Sequence, residues 1–230
     1  MNLLLFIQDR IMQVTEAPVS ETVAKINLWD LSLKGGWLMI PIALLLFIAV
    51  AILIERIFVI KNADKEDPTF MNRIKDYIHE GKIDSALNLC RMTDTPISRM
   101  IEKGISRLGR PMNDILVAIE NVGNIEVAKL EKGFPWVATS AAAAPMIGFL
   151  GTVTGMVRAF FAMANAGVNV DVSLLSSGIY EALVTTVAGL IVGIIALLSY
   201  NYLVSQVNGA VNKMETRSME FMDLLNEPTK

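Results

Sequence analysis

Three long apolar stretches constrain most strongly what this chain can fold into. They cover residues 35–60, residues 133–157 and the segment that begins near Val172. Each can form the ~20 helical residues that cross a ~30 Å hydrocarbon core. A helix satisfies its own backbone hydrogen bonds in lipid, and the remaining sequence carries no alternating strand pattern. The sequence therefore predicts an all-α integral membrane protein with three transmembrane helices extended into a cytoplasmic helical domain.

The composition agrees with a membrane protein and argues against several other classes. The chain of 230 residues is 53% hydrophobic and 19% charged, against about 25% charged in soluble domains. A net charge of −3 gives no basic surface for nucleic acid. The single cysteine, Cys90, excludes an internal disulfide framework, and we expect a buried thiol. With His79 as the one histidine, we predict neither an enzyme with a histidine base nor a metal site.

The distribution of Lys and Arg predicts the orientation in the membrane. The connection 61–132 holds twelve of them, whereas the short connection 164–171 holds none. Short loops without Lys or Arg are typically external. We therefore expect the connection 61–132 and the C-terminus in the cytoplasm, and the N-terminus outside.

These features divide the chain into seven segments. One helix of the cytoplasmic domain is predicted to start near Met112 and to continue directly into the second span. The segments are an external (periplasmic) amphipathic helix in 1–34, transmembrane helix 1 in 35–60, the cytoplasmic helical domain in 61–132, transmembrane helix 2 in 133–163, an external (periplasmic) loop in 164–171, transmembrane helix 3 in 172–204 and a cytoplasmic C-terminal helix in 205–230.

Glu181 is the one formal charge between Val172 and Asn212. An ionised acid at the centre of a bilayer costs roughly 2.5–3.5 kcal/mol on insertion scales, so such residues usually mark an ion or proton pathway. Two simpler interpretations stay open. Glu181 could form an ion pair with Arg158 at the external end of the second span, or it could lie shallow enough to reach water.

Threonines and glycines accompany Glu181 in the second and third spans. Thr185 lies one turn from Glu181 on the same face, and Thr186 is rotated by about 140°. Thr152 and Thr186 share a depth, where their hydroxyls would line a wet path or bond to helix carbonyls. Small residues allow close helix packing, either within the chain or between subunits of a ring. The glycines expected to do so are Gly148, Gly151, Gly155, Gly178, Gly189 and Gly193.

Two motifs resemble the ExbB/TolQ/MotA proton-channel family. They are "APMIGFLGTVTGM" at 144–156 and "GIYEALVTTVAGL" at 178–190, in the family's order and separated by a short loop. The resemblance implies that Glu181 is the intramembrane acid and that Thr152 and Thr186 line the pore. Thr185 and Arg158 have no firm counterpart in the family's pattern, so Thr185 is a weaker pore candidate.

The resemblance also implies an assembly and its partners. It predicts a pentameric ring in the bacterial inner membrane, with an ExbD-like single-span protein inside the pore. A TonB-like protein would carry the work to receptors in the outer membrane. Protons are the coupling ion and no other cofactor is expected, with phospholipid bound in the pore left open. The alternatives are a TolQ-like or motility stator, or a passive membrane scaffold in which Glu181 only pairs.

Overall fold

The computed structural model describes residues 35–63, 65, 67–165 and 172–226 of the chain. This part contains helices and no strand, which confirms the all-α class for the described residues. The predicted amphipathic helix in 1–34 lies outside them. The helices are α1 (Met39–Ala63), α2 (Phe70–His79), α3 (Ile83–Thr93), α4 (Pro96–Ile105), α5 (Met112–Leu130), α6 (Phe134–Asn165) and α7 (Val172–Asn226).

Within the described residues, three helices are long and apolar enough to cross a membrane: α1, α6 and α7. Helix α7 is unbroken over 55 residues, so the predicted C-terminal helix continues directly from the third span. Helices α6 and α7 run antiparallel, and α1 packs against both. Ile42 and Ala49 of α1 are buried at these contacts, whereas most large apolar side chains of the three helices face outward.

Helices α2 to α5 pack around the C-terminal part of α7 and form a helical domain with its own core. The core is built from bulky apolar side chains, among them Ile74, Ile101, Ile119 and Phe221, each almost completely buried. Cys90 lies in the same core, and burial raises the pKa of its thiol to about 12. The predicted buried thiol is therefore confirmed, and it is protonated at neutral pH.

Local signals set the helix ends in this domain. Thr95 caps α4 by accepting a hydrogen bond from the backbone N–H of Ser98, with Pro96 in the first turn. This is the pattern that starts a helix efficiently. The start of α2 differs from this pattern, because Asp67 accepts from the N–H of Thr69 and the helix begins only at Phe70.

The prediction that α5 continues into the second span is wrong. Helix α5 ends at Leu130 and α6 begins at Phe134. Gly133 between them has φ +93°, a left-handed conformation that glycine adopts without the steric cost that other residues meet. The side chain of Ile52 on α1 packs over this glycine, so α1 fixes the place where the chain turns into α6.

A buried arginine joins α1 to the same turn. Arg56 is 6% exposed, and its Nη1 donates a hydrogen bond of 3.0 Å to the carbonyl of Lys129. Its Nη2 pairs with the neighbouring Glu55. The contact occupies one of the carbonyls that a helix C-terminus leaves without an internal partner. Helix α1 is thereby bonded to the end of α5.

Candidate functional site

Glu181 lies on α7 beside Arg158 on α6. Its Oε1 is 3.8 Å from Nη1 of Arg158, and the side chains are 35% and 60% exposed. This distance defines an ion pair but is too long for a hydrogen bond. The structure therefore brings the predicted acid and its predicted cation together, while the carboxylate keeps hydrogen-bonding capacity to spare.

The turn before α1 closes another side of the Glu181 carboxylate. Gly36 lies so near that a Cβ added to it would collide with Oε1 of Glu181. The neighbouring Gly35 packs in the same way against Val184 and Met39. Glu181 therefore lies level with the start of α1, near one end of the three long helices rather than at their middle.

The three threonine hydroxyls all donate to backbone carbonyls. Thr186 donates across the helix pair to the carbonyl of Gly148 at 2.9 Å, and Thr152 donates within α6 to that of Phe149 at 2.6 Å. Thr186 is five residues from Glu181, or about 7–8 Å along the helix axis. Thr152 and Thr186 remain partly exposed, and each hydroxyl oxygen can still accept a hydrogen bond. They stay candidates for a pore lining.

Thr185 has a different environment from the other two threonines. It is 1% exposed and packs against Gly151, and its hydroxyl donates to the carbonyl of Ala182 at 2.8 Å. A side chain so enclosed by its own chain helps to hold α6 and α7 together. A direct role in a proton path remains only a prediction for this residue.

The six predicted packing glycines all lie where α6 meets α7. Gly189 has the closest contact with backbone atoms, since a Cβ there would be 2.5 Å from the carbonyl oxygen of Ala144 and 3.0 Å from Cα of Gly148. Toward Glu181, Gly155 and Gly178 lie against each other's backbone, since a Cβ on Gly155 would be 3.1 Å from the carbonyl oxygen of Gly178. Of the two arrangements left open by the sequence, the structure uses these glycines for packing within the chain. The remaining glycines at this contact are Gly151 and Gly193.

A buried acid, Glu126, lies in the helical domain. Arg99 and Lys129 each donate to one of its carboxylate oxygens at 2.7 Å, and its side chain is 4% exposed. Burial raises the pKa of this carboxyl, but the bonds from the two cations outweigh burial and hold the pKa below its usual value. Arg99 continues to Asp94 at the end of α3. Glu126 is therefore a structural ion-pair residue.

Sequence reasoning missed two features of these sites. Gly36 lies at the edge of the first span, and the glycine pair before an apolar run was the available signal. Glu126 has a lysine three residues on, at the spacing of a helical ion pair, but its bond to Arg99 depends on the packing of α4 against α5. In the described ranges, no three His, Cys, Asp or Glu side chains are grouped to hold a metal ion.

Comparison with known proteins identifies the family of the chain. The family model for the MotA/TolQ/ExbB proton channel family matches residues 92–216, more than half of the chain. The chain belongs to this family. The matched region contains Glu181, Arg158, Thr152 and Thr186. Helix α1 lies outside it. The family is one of proton channels and not a known family of enzymes, and the three apolar helices are those of a membrane protein.

Individual relatives carry ExbB and TolQ names. The Tol-Pal system protein TolQ of Haemophilus influenzae is 29% identical over 218 residues, which are 88% of this chain and 95% of that protein. The biopolymer transport protein ExbB of Neisseria gonorrhoeae is 31% identical over 135 residues, 53% of this chain and 61% of that protein.

An ExbB homolog of Methanothermobacter thermautotrophicus is 30% identical over 148 residues, or 64% of this chain. The chain spans about half of that relative, 52% of its length. The similarity to both ExbB and TolQ proteins supports a stator-like role among proton channels.

Proposed function

We propose that the chain is the ExbB-like stator subunit of a proton-driven motor in the bacterial inner membrane. In this proposal Glu181 is the acid that exchanges protons. The supporting observation is the incompletely paired carboxylate of Glu181, 3.8 Å from Arg158 and partly exposed, inside an otherwise uncharged segment. One charge crossing 100 mV releases ~2.3 kcal/mol, so a few protons supply enough energy for a conformational step.

The proposal includes an assembly. Five copies surround a pore lined by α6 and α7, and an ExbD-like single-span protein with an intramembrane aspartate occupies it. The outward-facing apolar side chains of α6 and α7, such as Phe149, Val153, Leu183 and Leu190, support such an arrangement, since they are available to neighbouring subunits and lipid. A TonB-like protein then carries the work to outer-membrane receptors.

The proposed orientation follows the Lys and Arg distribution. The helical domain lies in the cytoplasm, and the start of α1 with Glu181 faces the periplasm. Protons driven inward therefore reach the level of Glu181 before that of Thr186, which is ~7–8 Å deeper. Protons are the only coupling ion in this proposal, and bound phospholipid is an added possibility for the closed pore.

A TolQ-like role is the second candidate. The observation that favours it is the match to TolQ over nearly the whole length of that relative. The two roles share the proton chemistry and differ in the protein that receives the work. Restoring the missing activity in cells that lack either the ExbB-type or the TolQ-type stator would distinguish them.

The deciding experiment measures proton flux in proteoliposomes that contain the chain and its single-span partner. We expect Glu181→Gln to reduce flux to background while the complex stays assembled, because glutamine keeps the shape but cannot exchange a proton. Glu215→Gln is the matched control, since it makes the same change at an exposed position of the same helix. Equal flux in Glu181→Gln and wild type would reject Glu181 as the acid that exchanges protons, leaving it a packing or pairing residue and the partner's aspartate to carry the protons alone.

A further inference from the structure

The turn before α1 approaches the Glu181 carboxylate more closely than any side chain at that position would allow. Gly36 has φ +68°, which other residues adopt only with strain. In addition, a Cβ at Gly36 would overlap Oε1 of Glu181 and lie 3.1 Å from its Cδ. The positive φ therefore favours glycine here, and an added Cβ would push the flexible Glu181 carboxylate out of its place.

The same carboxylate oxygen is placed between two elements. Gly36, in the turn before α1, contacts Oε1, and Nη1 of Arg158 on α6 lies 3.8 Å from it. The described residues before α1, 35–38, carry no charged side chain, so Arg158 is the cation that faces Glu181 from the two helices packed around it. Backbone contact and charge attraction thus act on the same carboxylate oxygen.

We propose that Gly36 is a positioning residue that holds the Glu181 carboxylate against Arg158. This inference rests on the proposed function and adds how the acid is kept in place. When Glu181 accepts a proton from water, its attraction to Arg158 disappears and the side chain is free to leave the turn. When it gives the proton to the next acceptor, the charge returns and the carboxylate is drawn back beneath Gly36.

The test substitutes Gly36 by alanine in the full complex. We expect Gly36→Ala to lower proton flux about tenfold or more, since a 1 Å misplacement of a reacting group can cost on the order of 100-fold. Gly81→Ala is the matched control for backbone strain, because Gly81 has φ +71° and nothing lies within 4 Å of an added Cβ. It should leave flux unchanged.

A second readout separates positioning from general damage. Carbodiimides react with protonated carboxyl groups, and mass spectrometry of the labelled peptide reports the rate at Glu181. Pushed out from beneath the turn by the added Cβ, the carboxyl is more accessible to the reagent, so Gly36→Ala should speed labelling while Gly81→Ala does not. Flux and labelling that match the Gly81→Ala control would overturn the inference.

A double variant covers the case in which Gly36→Ala fails to assemble. Glu181→Asp shortens the acid by one methylene and removes the collision with the new Cβ. If the collision causes the defect, Gly36→Ala in the Glu181→Asp background should assemble as Glu181→Asp alone does. Continued failure would reject the positioning role.

The two proposals can fail separately. Normal flux in Gly36→Ala together with lost flux in Glu181→Gln would reject this inference alone, whereas normal flux in Glu181→Gln would reject the proposed function first.

Discussion

Two glutamates, one in the helical domain and one in the membrane-crossing helices, have carboxylates in different surroundings. In the helical domain, Glu126 is buried and accepts bonds of 2.7 Å from both Arg99 and Lys129. In the membrane-crossing helices, Glu181 is partly exposed and faces Arg158 at 3.8 Å. An acid with two short charged bonds stabilises one structure. An acid with one long, partly exposed ion pair contributes little to the stability of the fold.

The packing around the two acids differs in the same way. The helical domain fills its centre with large side chains such as Ile101 and Phe221. The contact between α6 and α7 depends instead on glycines, because lipid provides no hydrophobic drive between helices and close backbone approach replaces it. The membrane half is therefore sensitive to added volume.

The largest expected effect comes from adding volume between the two membrane helices. Gly189→Val should destabilise the protein by about 3 kcal/mol, the upper end for overpacking, because its Cβ would meet backbone atoms of Ala144 and Gly148 that cannot rotate away. Thermal unfolding in detergent measures the change. Gly209→Ala on the same helix is the control, since nothing lies within 4 Å of its added Cβ. An unchanged melting temperature for Gly189→Val would contradict the packing role.

A smaller effect is expected from removing the structural acid. Glu126→Ala should lower the free energy of unfolding by about 1–2 kcal/mol. Charged hydrogen bonds are worth about 1.5–3 kcal/mol, and the exposure of Lys129 and Arg99 to water reduces their contribution here. Proton flux per assembled complex should remain that of the wild type. Parallel melting and flux measurements check both statements. A loss of flux without a loss of stability would remove the distinction between the two glutamates.

The smallest effect is the dependence of that stabilisation on pH. The bonds from Arg99 and Lys129 depress the pKa of Glu126 in the folded state below its ordinary value of 4.5. Its contribution is therefore fully present above pH ~4.5 and is lost as the pH falls through the folded value. The stability difference between wild type and Glu126→Gln should shrink on acidification below about pH 4.5. A difference that stays constant from neutral to acid pH would mean that Glu126 is not stabilised as a carboxylate.

Much of this architecture could be predicted from the sequence, because it depends on properties that neighbouring residues share. Twenty or more apolar residues predict a span wherever they occur, and the six glycines at helical spacing predicted the close contact. The break at Gly133 was missed although the charged pair Glu131-Lys132 and a glycine stand there, because such residues also occur inside helices and the left-handed φ of Gly133 shows only in the structure. A helical pattern alone does not predict a single left-handed residue.

The candidate site was predictable in its residues but not in its arrangement. Glu181 stands out as a charge in an apolar segment, and Arg158 is placed correctly by counting turns. The contact with Gly36 could not be found this way, because it joins positions 145 residues apart through the packing of α1 on α7. The environments of the adjacent threonines also depend on how the helices pack and could not be read from the sequence. Thr185 is enclosed, whereas Thr186 is hydrogen-bonded to α6.

The continuity of helix α7 has a mechanical consequence. It runs without interruption from Val172 to Asn226, so Glu181 and Phe221 belong to one hydrogen-bonded rod, about 60 Å apart at 1.5 Å per residue. A continuous helix has no break about which its two ends could rotate independently. Any twist that a change of charge at Glu181 imposes on the rod is delivered as torque to the core around Phe221.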